Sequence, residues 1–144
     1  MRYVVDTCIF NKLLEGVLDL ADLPSNGEYC ATHIQKDELN QTKDKIKRER
    51  LSSVFEKVTQ IHLLTETTAI GISKIGNCRL GDGVSYIDIR ARLDKRNKGK
   101  HNNIQDAMIA EVAFKNNYTL LTTDKDLAHV MIDIGGRVTY WPSQ

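Results

Sequence analysis

The chain has 144 residues, 41% of them apolar and 6% aromatic; that is the size of a single domain, residues 1–144, able to bury a core without covalent staples. Twenty basic residues against 19 acidic leave a net charge of +1, so bulk charge points to no polyanion and only the distribution of charge can. Cys8, Cys30 and Cys78 form no CxxC pair, which argues against a disulfide framework or a zinc site; with no leader and no apolar run of about 18 residues, the expectation is a cytoplasmic protein without a membrane span.

Residues 3–5 are a short apolar run ended by Asp6 and Thr7, which predicts a buried strand with Asp6 at its C-terminal tip. Residues 8–20 carry Ile9, Leu13, Leu14, Val17 and Leu18, a helical period broken near Gly16. A second strand is predicted over 28–31, then a helix capped by Thr32 and carrying Ile34, Glu38 and Leu39. Leu51, Val54, Phe55 and Val58 mark one face of a longer helix, and 61–64 reads as a third strand. Four glycines between positions 71 and 83 signal a loop. Helices are predicted over 84–93 and 104–114 with a basic loop over 95–101 between them, and strands over 119–122 and 138–141. Strands alternating with helices predict an α/β fold, a mainly parallel central sheet with helices on both faces, in which ligands collect at the C-terminal strand ends.

Asp6 and Asp124 each follow a predicted strand and would project from the same sheet edge, although a single aspartate there serves equally as a turn former or helix cap. Asp106 lies on a helix so apolar that most of its circumference is buried, with Ile109, Ala110 and Ala113 on its face; a carboxylate there needs a partner or a cation. The simpler reading has Asn103 cap the helix and Asp106 favour the positive end of its dipole. Glu38 falls between Ile34 and Leu39 on the helical wheel and points inward, whereas Asp37 falls outside that arc.

The order VVDT, DEL, DAMIAEVA and LLTTDKDL resembles the PIN domains, and among them the VapC-type toxin ribonucleases of toxin–antitoxin systems, from Val4 to Val138. The resemblance implies a PIN-like three-layer fold and a metal-dependent endoribonuclease whose four acids fall on Asp6, Glu38, Asp106 and Asp124, with Asp126 a candidate fifth. Thr7 and Thr122 match the family's hydroxyls, which would orient the carboxylates. Cys8 stands where many relatives have asparagine. An all-oxygen donor set selects hard Mg²⁺, with Mn²⁺ as substitute, and such an ion activates water and offsets charge on a phosphodiester; His33 and His101 read as loop or surface residues. The resemblance also implies 5′-phosphate and 3′-hydroxyl products, a small antitoxin protein as partner, and a homodimer, as relatives commonly form. An antitoxin peptide could bring an arginine to the carboxylates and lay a helix in a groove walled by Leu13, Leu14 and Val17, residues that core packing explains equally well.

Between Arg90 and His101 six cations, Arg90, Arg92, Lys95, Arg96, Lys98 and Lys100, face one acid, Asp94. Next to an acidic pocket such a run suits RNA phosphates, with Lys95, Arg96, Lys98 and Lys100 as the candidate contacts; a solvated surface is the competing reading. The run from Lys43 to Arg50 is interrupted by Asp44 and Glu49 and reads as an exposed face. A receiver domain would need an acidic pair after the first strand, a haloacid-dehalogenase-like phosphatase an aspartate at position 8, and a nucleotide triphosphatase a GK[ST] loop; none is present. A housekeeping RNA-processing nuclease and an inactive PIN-like binding module remain as alternatives to the toxin.

Overall fold

The computed structural model describes residues 1–65 and 84–142; the glycine-rich segment over 71–83 of the sequence reading lies outside them. Strands β1 (Arg2–Val5), β2 (Glu28–Ala31), β3 (Ile61–His62), β4 (Thr119–Thr122) and β5 (Arg137–Tyr140) form one sheet in the order β3-β2-β1-β4-β5, with every pairing parallel. Helices α1 (Thr7–Glu15), α2 (His33–Asn40), α3 (Lys45–Val58), α4 (Val84–Asn97), α5 (Asn103–Asn116) and α6 (Lys125–Asp133) cover it, with a short 3-10 turn at Leu20–Asp22. Among the described residues no helix is long and apolar enough to cross a membrane.

Because successive strand side chains point to opposite faces, the sheet separates two apolar layers. Val4, Cys30 and Leu120 pack with α4, α5 and α6, through Ile89, Leu93, Met108, Val112, Leu127 and Met131. Tyr3, Val5, Ala31 and Leu121 pack on the other side with Ile9, Phe10, Leu51, Phe55 and Val58 of α1 and α3. This is the three-layer arrangement expected. Its strand interiors are apolar without alternation because both faces are covered.

The helix ends follow local chemistry. Gly16, at φ 77°, supplies the left-handed residue that stops α1. Thr32 caps α2 as expected, its hydroxyl accepting from the Ile34 N–H while Gln35 reaches back. The buried Gln35 amide also donates to the Val5 carbonyl at 3.0 Å, tying α2 to the end of β1.

Four expectations need correction. Helix α4 runs on to Asn97, so Lys95 and Arg96 occupy its last turn rather than a loop, where cations meet the negative end of the dipole. Asn103 does not cap α5: Asn102 holds that position without a side-chain bond, and the Asn103 amide turns to α4 instead. The third strand ends at His62. His33 is the first residue of α2 rather than a loop residue, while His101 is exposed.

Candidate metal centre

The parallel pairing of β1 with β4 aligns Val5 with Leu121, so the chain leaves both central strands at one sheet edge. Asp6 follows β1 and caps α1, its Oδ1 accepting from the Thr7 N–H at 2.8 Å. Asp124 follows β4 and caps α6, its Oδ1 accepting from the N–H groups of Asp126 and Leu127. The helix-cap reading and the site reading are therefore compatible for both acids. Glu38 comes from α2 and Asp106 from the first turn of α5. All four line one pocket of about 220 Å³ together with Thr7, Cys8, Asn11, Lys100 and Asn102.

Hydrogen bonds aim two of the acids. Thr122 Oγ–H donates to Asp6 Oδ2 at 2.7 Å and its oxygen accepts the Asp124 N–H at 3.0 Å, so one hydroxyl links both strand-end aspartates. Thr7 Oγ–H donates to Glu38 Oε1 at 3.0 Å. Thr7 and Thr122 thus stand where orienting groups were expected. Cys8 takes over polar contacts at its position: its thiol donates to Asp6 Oδ2 at 3.2 Å and its sulfur accepts the Thr123 N–H at 3.4 Å. Burial and the neighbouring Asp6 charge push that thiol well above its usual range, so it stays protonated and serves as a donor.

The carboxyls of Asp6, Glu38 and Asp106 are held in an environment that resists their ionisation. Asp6 is 4% exposed and Asp106 6%. Burial pushes the Asp106 carboxyl up to about 9, helped by the charges of Asp6, Glu38 and Asp124 and opposed by Lys100. Glu38 rises to about 7 through burial and the Asp6 charge, against the Thr7 hydrogen bond. Asp6 is raised as well, chiefly by burial, although Thr122, Cys8 and Thr7 all donate to it. Two carboxylates about 4 Å apart repel by roughly 4 kcal/mol at an effective dielectric near 20, so several ionised together call for a cation.

The donor chemistry fits a hard divalent ion. Asp106 accepts no side-chain hydrogen bond among the described residues, and Glu38 Oε2 is also left without a donor there; carboxylate oxygens already bonded keep further lone pairs. As the side chains stand, no group of three or more acidic, histidine or cysteine residues among the described ones closes around a point as an ion cage would. The pocket gathers the four acids without contracting on a centre.

Other candidates lie apart. Asp126 does not line the pocket; its Oδ1 accepts from Arg96 Nε at 3.3 Å. Lys95 and Arg96 border a separate groove of about 500 Å³ with Arg92, Asp88 and Asp133, and Lys98 is an exposed turn residue. Of the four candidate RNA contacts only Lys100 reaches the acids' pocket. Leu13 lines an apolar groove of about 230 Å³ with Leu18, Leu20, Val54 and Val58, whereas Leu14 packs against the core and Val17 is exposed. Helix α6 was missed from the sequence, though Leu127, Val130 and Met131 behind a capping aspartate give its signal.

No family model and no curated protein matches the chain. Solved structures do. VapBC2 from Rickettsia felis, determined bound to a DNA fragment from the promoter, matches over 98% of this chain and 99% of that one at 18% identity and a TM-score of 0.64. A domain of a functionally unknown protein from Methanocaldococcus jannaschii matches over 99% and 92% at 16% identity and a TM-score of 0.54. VapBC-5 from Mycobacterium tuberculosis, a member of the VapBC family of toxin–antitoxin systems, matches over 99% and 98% at 19% identity and a TM-score of 0.50. The chain has a PIN-like fold of the VapC kind.

Proposed function

We propose that this protein is a Mg²⁺-dependent endoribonuclease, with Mn²⁺ able to substitute, and the toxin of a type II toxin–antitoxin pair whose partner is a small antitoxin protein. The observation that carries the reading is the convergence of Asp6, Glu38, Asp106 and Asp124 on one pocket, with Lys100 as the counter-charge among the described residues. The likeness in fold to the VapBC proteins of R. felis and M. tuberculosis supports the toxin assignment.

Asp6, Glu38, Asp106 and Asp124 would hold the ion, and when bound the ion supplies Lewis-acid polarisation of a phosphate and a more acidic water. Thr122 and Thr7 restrict how Asp6 and Glu38 can turn, so fewer rotamers must be frozen when the ligands close. Hydrolysis joins the water oxygen to phosphorus and breaks the P–O3′ bond, whose electron pair leaves with O3′. One water proton ends on O3′, which yields 5′-phosphate and 3′-hydroxyl ends.

The test is cleavage of a pooled single-stranded RNA by purified protein with Mn²⁺ or Mg²⁺. Wild type should cut and be silenced by chelation, and Asp106→Asn or Asp124→Asn should lose at least about 100-fold, since several kcal/mol of transition-state stabilisation goes with the ion. Expression alone should arrest growth and Asp6→Asn should relieve it. An inert wild-type protein, or an aspartate variant as active as wild type, overturns the nuclease; an active nuclease that leaves growth untouched overturns the toxin.

A further inference from the structure

The α4–α5 turn is built to a fixed shape. Asn103 is 1% exposed; its Nδ2 donates to Asp94 Oδ1 at 2.7 Å and to Asn97 Oδ1 at 2.8 Å, and its Oδ1 accepts from Asn97 Nδ2 at 2.8 Å. Lys100 is pinned on both sides, its N–H donating to Asn97 Oδ1 at 3.2 Å and its carbonyl accepting the Asn103 N–H at 3.1 Å. Between these anchors Lys98 (φ 58°) and Gly99 (φ 74°) are both left-handed, a conformation that costs a non-glycine residue about 1 kcal/mol or more and persists where its surroundings enforce it. The outcome is that Lys100, alone of its run, borders the pocket of the four acids.

We propose that Lys100 is a catalytic residue that holds the cleaved phosphate over the carboxylate pocket, with Asn97 and Asn103 as the positioning residues that set its place. This rests on the nuclease reading above. It divides the four candidate RNA contacts into one cation that acts on the reacting phosphate and three, Lys95, Arg96 and Lys98, that do not line its pocket.

The reasoning is electrostatic. Four carboxylates with one divalent ion remain net negative, so an incoming phosphodiester is repelled until another cation offsets the excess. Lys100 is the cation that lines this pocket among the described residues. As water adds to phosphorus, charge on the non-bridging oxygens rises from about one unit towards two. An ammonium held against them therefore stabilises the transition state more than the ground state, and its loss should lower kcat more than it raises KM. The same charge opposes ion binding in the absence of RNA, so removing it should favour the metal.

That pair of opposite effects is the test, made by Mn²⁺ titration calorimetry without RNA alongside steady-state cleavage. Lys100→Ala, at an exposed position that leaves the fold intact, should lower kcat about 100-fold while binding Mn²⁺ about threefold more tightly. Lys100→Arg should restore kcat to within about tenfold of wild type, because the charge is kept and only its shape changes. Asn97→Ala should reduce kcat by an intermediate factor, with Mn²⁺ affinity between that of wild type and that of Lys100→Ala. A residue with only a structural role would weaken turnover and metal binding together. Wild-type cleavage with Lys100→Ala within threefold of it in kcat, or with weakened Mn²⁺ binding, overturns this proposal and leaves the nuclease standing; absence of wild-type cleavage overturns the nuclease reading itself.

Discussion

On the outer face of α4, Arg92 meets Asp88 at 2.9 Å, Arg90 meets Asp94 at 3.9 Å, and Arg96 reaches Asp126 on α6 at 3.3 Å. A short way along the chain, four carboxylates share a pocket with Lys100. The first surface balances its charge pair by pair in solvent, where each pair adds little to stability. The second gathers like charge out of water, where burial and then neighbouring charge raise the pKa of Asp6, Glu38 and Asp106. The contrast teaches that a count of charged residues says little about function; what distinguishes a working site is charge the protein leaves uncompensated at a cost to its own stability. It also explains why a basic run that looked uniform in sequence divides: paired arginines belong to the surface, and the pocket takes one lysine.

The largest effect that can break this contrast is on the stability of the metal-free protein. Glu38 and Asp106 titrate near 7 and 9, above their ordinary values of 4.5 and 3.8. Groups raised in this way lend stability that is fully present below the unfolded value and lost as pH rises through the folded one. The melting temperature without divalent ions should therefore fall between about pH 5 and 9, and Mg²⁺ or Mn²⁺ should restore it at the alkaline end by binding the ionised carboxylates. Asp106→Asn should melt roughly 5 °C or more above wild type at pH 8.5 without metal, with a shallower pH dependence. A flat wild-type profile, followed by calorimetry, would show that the pocket carries no uncompensated charge.

A smaller effect sharpens the account of how the acids are aimed. Thr122→Val removes the 2.7 Å hydrogen bond to Asp6 Oδ2 and the acceptor for the Asp124 N–H with little change of shape. Mn²⁺ affinity by titration calorimetry should fall about 10-fold in a protein that remains folded. Unchanged affinity would mean that the strand ends alone place the carboxylates. Smallest of all, Arg92→Ala should change unfolding free energy in urea by no more than about 0.5 kcal/mol, and a cost several times larger would remove the distinction between the two surfaces.

The sequence allowed some of this to be read directly, for reasons visible in particular residues. Strands 28–31 and 119–122 hold short apolar centres, Tyr29 to Ala31 and Leu120 with Leu121, set between polar residues, and their observed limits agree. Asp6 and Asp124 could be placed at one edge because a parallel sheet sends every strand end the same way. Past Leu93 the signal failed, since α4 continues through Lys95 and Arg96 without an apolar residue to mark the period. Helix α6 is hidden in the sequence because its start coincides with the LLTTDKDL segment, where a capping aspartate and a site aspartate look alike. The partners of Asn103, Asp126 and Arg96 are tertiary, between α4 and the elements beside it, and no local pattern encodes them.

The position of β1 has a consequence for the order in which the molecule comes into being. Its two neighbours are β2, soon after it in the chain, and β4, whose Thr122 lies 116 residues beyond Asp6. During synthesis β1 can pair on one side early, whereas its other edge waits until β4, more than a hundred residues later, has emerged, and pairings over such separations form slowly. For most of that interval Asp6 and Glu38 exist without Asp106 and Asp124. The four-acid pocket is thus absent from nascent protein and is assembled only when β1 pairs with β4.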